Sequence, residues 1–483
     1  MKIHASRREI LFGGAAAACL AIGGCDLGGD REFAGPRLSE TRIDANPSPL
    51  QADVTQAQLE PGGAPSTLFT YGPRFGPVLR ATKGAPVNVD FTNALKGRHT
   101  SVHWHGMRIP NAMDGVPYVT QPPVQPGDHF RYVFSPPDAG SFFFHPHCET
   151  ITQLGRGLAG ILIVDGDTRT PFDHELILVI KDWRLAEDGS FLPLLTNEGA
   201  GKSGTFGTLR TVNGAPAPEF EVPADANIRL RIFNVDNTRI PDLGLIGAKA
   251  ALIAREGNPL PPELFESIKI GPAMRIDLAL RSPPRGEEFR LVDYFAAEPV
   301  TLARFKTRGS AHRSGTFAPQ PLIPNPIPEP DLDNAIRLEW ALTAASSPSL
   351  PNVPMNDDPT FRYADDLCLS PKTFWAIDGQ TWPQQGHESL PPPLAQFPLG
   401  KTVLIEFFNG TPHTHPMHLH GHTFKVLSAS RNPVAPYWSD TVLVTPKERV
   451  QIAFVADNPG DWMVHCHIIE HQDTGMMGWF RVA

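Results

Sequence analysis

One short pattern occurs three times in the chain and sets the strongest limit on its fold. In each copy apolar residues alternate with other residues and the run closes on an asparagine, at 87–93, 228–234 and 403–409. A period of two indicates a β-strand with one buried face. Because the copies begin 141 and 175 residues apart, we interpret them as one domain type used three times, which suits a chain of 483 residues.

A second repeat relates the first and third copies. Phe134 precedes His145 by the same interval that separates Phe454 from His465, and a glycine stands five residues before each histidine. The middle copy, expected around 270–280, has the strand pattern without histidines, so we interpret it as structural. The 51 prolines and 42 glycines favour short strands and turns over long helices. The sequence therefore predicts an all-β protein.

These patterns divide the chain into six predicted segments. They are an export signal at 1–25, a tether and N-terminal arm at 26–58, a first domain at 59–166, a second domain at 167–316, a proline-rich linker at 317–333 and a third domain at 334–483. The first and third domains are expected to contribute functional residues, and the second to be a spacer.

The N-terminus has the features of an export signal. Arg7 and Arg8 precede an apolar stretch that ends near Ile22, which resembles a twin-arginine signal. Cys25 follows in a lipobox-like setting and is a candidate lipid anchor. We therefore expect a periplasmic or cell-envelope protein, with a membrane-anchored lipoprotein as one form. In that compartment the two remaining cysteines, Cys148 and Cys368, form either a disulfide or two buried thiols.

The net charge argues against nucleic-acid binding, and the hydropathy excludes a transporter. The net charge of -9 gives no basic surface of the kind that binds nucleic acid. No apolar run beyond the signal approaches the roughly 18 to 20 residues that span a bilayer, so a transporter is excluded.

Histidine spacing indicates a metal cluster. Eight of the 18 histidines fall in four His-x-His units, which are His103 and His105, His145 and His147, His418 and His420, and His465 and His467. On a strand, residues two apart point to the same face, so each unit presents two imidazoles side by side. Core histidines satisfied by hydrogen bonds would not explain four matched units. We expect the cluster between the first and third domains.

The last unit also encloses a cysteine. A thiolate from Cys466, imidazoles from His415 and His471, and a thioether from Met476 form the ligand set of a blue-copper electron-transfer site. On a strand Cys466 faces away from His465 and His467, so a copper on its sulfur would be joined to the histidine cluster through a few covalent bonds.

Four motifs together resemble the multicopper oxidases, the group of laccase-like enzymes, cuprous oxidases and bilirubin oxidases. They are HWHG at 103–106, HPH at 145–147, HPMHLHG at 415–421 and HCHIIEHQDTGM at 465–476. The resemblance runs from about Thr67 to Ala483. It implies three cupredoxin-like Greek-key β-barrels and four coppers per chain, one of type 1, one of type 2 and two of type 3.

The resemblance also implies a role for each ligand. The implied type 1 ligands are His415, Cys466, His471 and Met476, the type 2 ligands are His103 and His418, and the type 3 ligands are His105, His145, His147, His420, His465 and His467. Asp114 resembles the acid that the family uses near the cluster to assist O2 reduction. Where bacterial relatives often have a glutamate, this chain has Gln472, which leaves Glu470 and Asp473 as candidates for a second proton route.

The predicted activity is that of a laccase-like enzyme. Its partners would be O2 and a small phenol or aromatic amine, oxidised by a monomeric protein through an exposed imidazole edge of His415 or His471. A cuprous-ion oxidase is the alternative, but the nine methionines show no cluster between Met355 and Met417 that would select Cu(I). A copper-binding structural protein is the alternative from another class. A two-domain copper nitrite reductase would lack the full set of four His-x-His units.

Overall fold

The computed structural model describes residues 33–313, 317–344, 375–382 and 390–483. Within these, Gly35–Ala483 form one compact unit. The predicted export signal, Cys25 and Cys368 lie outside the described residues. The described strands form six sheets, two for each predicted repeat.

The first barrel holds the N-terminal sheets. Its strands are β1 (Glu40–Arg42), β2 (Ser48–Ala57), β3 (Ser66–Tyr71), β4 (Val78–Thr82), β5 (Val87–Asn93), β6 (His103–His105), β7 (His129–Phe134), β8 (Gly140–His145) and β9 (Gly160–Asp165). They form sheets of order β3-β2-β5-β7 and β1-β4-β9-β8-β6. A 3₁₀ turn at Asn111–Met113 and helix α1 (Thr150–Gly155) follow the two histidine-bearing strands.

The N-terminal arm predicted at 26–58 is wrong in its second half. Strand β2 pairs in parallel with β5 and antiparallel with β3, and β1 pairs with β4. Leu50 and Ala52 of β2 are buried in the core of the first barrel. The barrel therefore begins near Glu40 rather than at residue 59. Strand β2 does alternate, with Leu50, Ala52 and Val54 separated by polar residues, but it lacks the closing asparagine and the histidine spacing by which the repeats were recognised.

The second barrel has the same two-sheet plan. Its strands are β10 (His174–Trp183), β11 (Leu209–Val212), β12 (Glu219–Pro223), β13 (Asn227–Asn234), β14 (Asp242–Ile246), β15 (Ala250–Arg255), β16 (Asn258–Phe265), β17 (Ser267–Lys269), β18 (Arg275–Arg281), β19 (Glu288–Asp293) and β20 (Val300–Arg308). Their sheet orders are β11-β10-β13-β18-β15-β16 and β12-β20-β19-β14-β17. A short helix, α2 (Asn197–Ala200), lies in the connection after β10.

The third barrel follows residues 317–331, which belong to no helix or strand. After a 3₁₀ turn at Leu332–Asn334 its strands are β21 (Ile336–Ala344), β22 (Trp375–Ile377), β23 (Ala395–Phe397), β24 (Thr402–Asn409), β25 (His415–Leu419), β26 (Phe424–Ala429), β27 (Tyr437–Ser439), β28 (Thr441–Val444), β29 (Arg449–Val455), β30 (Gly460–Cys466) and β31 (Met477–Val482). Helix α3 (Ile469–Asp473) precedes β31. The sheet orders are β22-β21-β24-β29-β26-β27 and β23-β31-β30-β25-β28.

The repeated pattern marks equivalent strands, β5, β13 and β24. Each pairs in parallel with the strand before it in its sheet and antiparallel with the strand after it. The closing residues Asn93, Asn234 and Asn409 each donate from the side-chain amide to two main-chain carbonyl oxygens, at 2.7 to 3.0 Å. These bonds satisfy buried carbonyls where each strand ends.

Three apolar cores fill the barrels, one between the sheets of each repeat. A fourth cluster lies between the first two barrels and includes Ile151 of α1 and Ile469 of α3. This packing fixes the ends of the histidine-bearing strands. Among the described residues no helix is both long enough and apolar enough to cross a bilayer.

Candidate metal centre

Pairs of neighbouring strands in the outer barrels bring the histidine units together. In the first barrel β6 lies beside β8, with His103 opposite His145. In the third barrel β25 lies beside β30, with His418 opposite His465. His103 and His105 both lie on β6, where alternate residues share a face. In the other three units the second histidine lies just after the end of its strand, at His147, His420 and His467.

All eight histidines of the four units are buried. Three sets of side chains bring their ligand atoms within 4.8 Å of one another, and they are His103, His418 and His420; His103, His105 and His145; and His147, His420 and His465. His467 joins them, with its Nε2 3.4 Å from Nε2 of His145. The predicted cluster residues therefore meet in one place.

The outward-facing ring nitrogens are held by fixed acceptors. Four rings donate from Nδ1 to main-chain carbonyl oxygens: His103 to Asp114 at 2.8 Å, His145 to Pro146 at 2.9 Å, His418 to Asp440 at 2.8 Å and His465 to Cys466 at 3.0 Å. These bonds turn Nε2 of each ring inward. His105 has the reverse orientation, because its Nε2 lies 3.2 Å from both Asp440 Oδ1 and Thr441 Oγ1.

The inward nitrogens fit a metal cluster. Nε2 of His103, Nδ1 of His105 and Nε2 of His418 are buried and have no hydrogen-bond partner among the described residues. A buried, unpaired nitrogen is costly unless a ligand satisfies it. Burial, with a smaller contribution from neighbouring imidazoles, lowers the pKa of His105 and His418 well below the usual value. Neutral rings offer the lone pair that a metal requires.

A second centre surrounds Cys466. Its Sγ lies 3.5 Å from Nδ1 of His415 and 3.7 Å from Nδ1 of His471, and the two nitrogens are 3.1 Å apart. The centre of this triangle is about 2 Å from each corner, close to metal–nitrogen and metal–sulfur bond lengths. Met476 is buried beside them, and its N–H donates to the carbonyl of His471. Burial raises the pKa of the Cys466 thiol, so a thiolate here requires a neighbouring cation.

The prediction that His415 or His471 exposes an imidazole edge is wrong. Both rings are fully buried. Nε2–H of His415 donates to Thr411 Oγ1, and Nε2–H of His471 donates to the carbonyl of Lys202, each at 2.7 Å. The partly exposed imidazole at this site is His413, whose ring centroid is 6.5 Å from that of His471.

Asp114 links the two halves of the cluster. It is buried, and its main-chain carbonyl accepts from His103 of the first barrel. Its Oδ2 accepts from Nδ1 of His420 of the third barrel at 2.9 Å. Asp114 therefore contacts a predicted ligand from each barrel, one through its main-chain carbonyl and the other through its carboxylate.

The three residues considered for a second proton route have different surroundings. Glu470 accepts from the N–H and the hydroxyl of Thr205 in the second barrel, and burial raises its pKa to about 7. Gln472 and Asp473 instead line a cavity of about one water molecule that also touches His147. Burial raises the pKa of Asp473 well above the usual value. Asp473 therefore lies beside the histidine cluster, whereas Glu470 is engaged with the second barrel.

Several residues of the two centres escaped the sequence-based prediction. Asp440 and Thr441 contact His105, while Thr411 and Lys202 contact the histidines beside Cys466. His413 had a signal, because it forms a further His-x-His unit with His415. No sequence pattern pointed to Asp440, because its contact with His105 joins residues from different barrels.

Cys148 is buried next to His147. Its predicted partner Cys368 lies outside the described residues, so the pairing stays a prediction.

Comparison with known proteins identifies the family. Two family models described as multicopper oxidase match residues 53–169 and 366–483. The chain is 31% identical to multicopper oxidase MmcO of Mycobacterium tuberculosis over 458 residues, covering 87% of this chain and 84% of that protein. The chain belongs to the multicopper oxidase family. It is an oxidoreductase that uses copper, O2 and a reductant, as the four motifs predicted.

Other multicopper oxidases are similar to this chain over nearly its whole length. A crystal structure of the enzyme from Pseudomonas thermotolerans is 39% identical, with a TM-score of 0.81, and covers 92% of this chain and 100% of that one. A laccase from Cryphonectria parasitica is 26% identical and covers 96% of this chain and 86% of that protein. The all-β fold of three cupredoxin-like barrels is therefore confirmed.

Proposed function

We propose that this multicopper oxidase is laccase-like and couples one-electron oxidation of phenols or aromatic amines to the reduction of O2 to water. It would hold four coppers. The type 1 ligands are His415, Cys466, His471 and Met476; the type 2 ligands are His103 and His418; and the type 3 ligands are His105, His145, His147, His420, His465 and His467. The observation that carries the assignment is the set of inward, unpartnered ring nitrogens beside the Cys466 triangle.

When bound, copper would supply the one-electron chemistry that the side chains themselves lack. Cys466 connects the two centres, because its sulfur belongs to one and its chain neighbours His465 and His467 belong to the other. Asp114 holds the ring of His420 and lies where it can pass a proton toward the cluster. Carbonyl and hydroxyl acceptors fix the tautomers of the other rings.

The surroundings of the Cys466 triangle favour an aromatic donor. The ring of Trp375 lies 4.4 Å from His471 and 5.2 Å from His415, and the partly exposed ring of His413 lies 6.0 Å from Trp375. Trp375 is buried, so among these rings only His413 could be reached by a donor, and a flat aromatic ring can pack against it. Cu(I) prefers soft thioether ligands, and the outer contacts of the two histidines are instead a hydroxyl and a carbonyl.

The test is steady-state O2 uptake with phenols, aromatic amines and Cu(I) on fully copper-loaded protein. We expect a higher kcat/KM for at least one phenol or aromatic amine than for Cu(I). A kcat/KM for Cu(I) about a hundredfold above that for every aromatic donor, equivalent to about 2.7 kcal/mol, would replace this proposal with a cuprous oxidase. Copper-loaded protein that oxidises neither class would support the structural-protein alternative.

The location of the enzyme is also a proposal. The twin-arginine-type signal supports export to the periplasm or cell envelope, and Cys25 is the candidate lipid attachment site. Mass analysis of the mature N-terminus, with detergent partitioning, tests lipidation.

We also propose that the enzyme is a monomer, because all proposed ligands come from one chain.

A further inference from the structure

Arg275 belongs to the middle barrel, which carries none of the proposed ligands, yet its side chain reaches the histidine cluster. The side chain is 1% exposed. Its Nη1 and Nη2 donate to Oδ1 and Oδ2 of Asp440 at 2.9 and 2.7 Å. Such a two-pronged contact fixes a carboxylate in the plane of the guanidinium.

Asp440 in turn contacts one ligand from each outer barrel. Its Oδ1 lies 3.2 Å from Nε2 of His105 and 2.8 Å from the hydroxyl of Thr441. Its main-chain carbonyl accepts from Nδ1 of His418 at 2.8 Å. The orientation of one carboxylate therefore decides which nitrogen of His105 carries the proton and which faces the cluster.

Further contacts hold Arg275 itself in place. Its Nη1 lies 2.9 Å from Oε2 of Glu256, and its Nε donates to the carbonyl of Ser141 in the first barrel at 3.2 Å. The packing against the first barrel is tight. A Cβ at Gly106, the last residue of the HWHG motif, would lie 2.3 Å from Asp440 Oδ2 and 2.7 Å from Arg275 Nη2.

We propose that Arg275 is a positioning residue of the oxygen-reducing centre. It holds Asp440 in the orientation that accepts Nε2–H of His105 and so leaves Nδ1 of that ring for the metal. This inference rests on the proposed function and gives the middle barrel a direct part in it.

Two other roles must be separated from this one. His105, His418 and Asp440 could together ligate a metal, since their ligand atoms lie within 4.8 Å. Both oxygens of Asp440 are occupied by Arg275, however, which favours the acceptor role. Arg275 could also be a purely structural ion pair between barrels. Arg229 is the matched control, because it is equally buried and makes a similar two-pronged contact with Asp167, at 3.0 and 2.6 Å.

The experiment compares Arg275→Lys and Arg229→Lys, both loaded with copper. Lysine keeps the buried charge but cannot hold two carboxylate oxygens at once. We expect Arg275→Lys to retain the blue type 1 absorption while its type 3 copper loses occupancy or magnetic coupling, seen by copper analysis and electron paramagnetic resonance. Reoxidation of the reduced enzyme by O2 should slow by about tenfold or more. Arg229→Lys should leave the type 3 signals unchanged.

Unchanged type 3 signals in a folded Arg275→Lys variant would overturn the proposal. So would equal loss of type 1 and type 3 signals in both variants, which indicates general destabilisation.

A crystal structure of the copper-loaded wild-type protein tests the same point if Arg275→Lys does not fold. We expect Nδ1 of His105 on the metal and Asp440 bound to Arg275. Metal on Nε2 of His105, or on Asp440, would contradict the proposal. Wild-type protein that binds copper but oxidises no donor would refute the proposed function instead. The spectroscopic comparison of the two variants could still be made, so the failure of the proposed function and the failure of the role of Arg275 can be distinguished.

Discussion

The outer barrels and the middle barrel share one fold but differ in the side chains that two neighbouring strands of one sheet carry. In the outer barrels β6 beside β8 and β25 beside β30 place histidines opposite each other. At the equivalent place in the middle barrel β14 lies beside β19, with Leu243 opposite Asp293. Asp293 is buried and bound to Arg210 at 2.6 Å. The same strand positions therefore hold the proposed metal-ligating histidines in two barrels, whereas the third has a leucine opposite an aspartate that is bound in an ion pair.

The middle barrel nevertheless contacts both centres from outside. Arg275 reaches the histidine cluster through Asp440, and the carbonyl of Lys202 accepts from His471 at 2.7 Å. Thr205 donates to Glu470 of helix α3, which lies within the HCHIIEHQDTGM motif. A repeat without ligands can thus orient the ligands of its neighbours. The experiments below test this division of roles.

The largest loss of activity is expected from a change at Cys466, which would carry electrons between the two proposed copper centres. Cys466→Ser removes the thiolate that joins the two centres, so the blue absorption should vanish and turnover should fall by about 10³-fold or more. Absorption spectroscopy and O2 uptake measure both. Cys148→Ser is the control, since it makes the same atomic change at another buried cysteine. Blue colour in Cys466→Ser would show that the sulfur assignment is wrong.

Removal of copper tests whether the metal cluster stabilises the association of the first and third barrels. A ligand present at a hundred times its dissociation constant stabilises the folded state by about 2.7 kcal/mol per site. We therefore expect a lower Tm for chelated protein in calorimetry, with the transition restored by copper. The same Tm with and without copper would mean that the barrels associate independently of the metal.

Asp114→Asn tests the acid that spans the outer barrels. The amide cannot pass a proton and weakens the acceptor for His420, so O2 reduction should slow by about 10- to 100-fold. Reduction of the type 1 copper by substrate should change little, as rapid mixing would record. Asp138→Asn removes another buried carboxylate of the first barrel, bound to Arg108 at 2.8 Å. A defect confined to substrate oxidation would indicate that Asp114 only stabilises its turn.

The smallest effect is expected from the surface of the middle barrel. The Lys202 side chain is 63% exposed above its contact with His471. Lys202→Glu should raise the KM of an anionic donor and lower that of a cationic donor by about two- to fivefold. Lys401→Glu is the control, because Lys401 is exposed at the opposite end of β24 from His413. Equal shifts in both variants would place electron entry elsewhere.

Local geometry explains how much of the site could be predicted from sequence. Period-two alternation is a property of a single strand, so the three repeats, the all-β class and the shared faces of the His-x-His units follow from residue order. The opposite directions of Cys466 and His465 follow for the same reason. Strand β2 was missed although Leu50, Ala52 and Val54 alternate with polar residues, because it carries neither of the two repeated motifs.

The tertiary structure decided which atom of each side chain is available. The inward nitrogen of an imidazole depends on the acceptor that binds the other nitrogen, and for His105 that acceptor, Asp440, is 335 residues away and in another barrel. The orientation of the His471 ring depends likewise on the carbonyl of Lys202, which belongs to the second barrel. Sequence determined the ligand types and their spacing, because these are set within one strand. The packing of the three barrels determined the tautomer and the exposure of each imidazole, because its hydrogen-bond partners come from residues that are distant in the sequence.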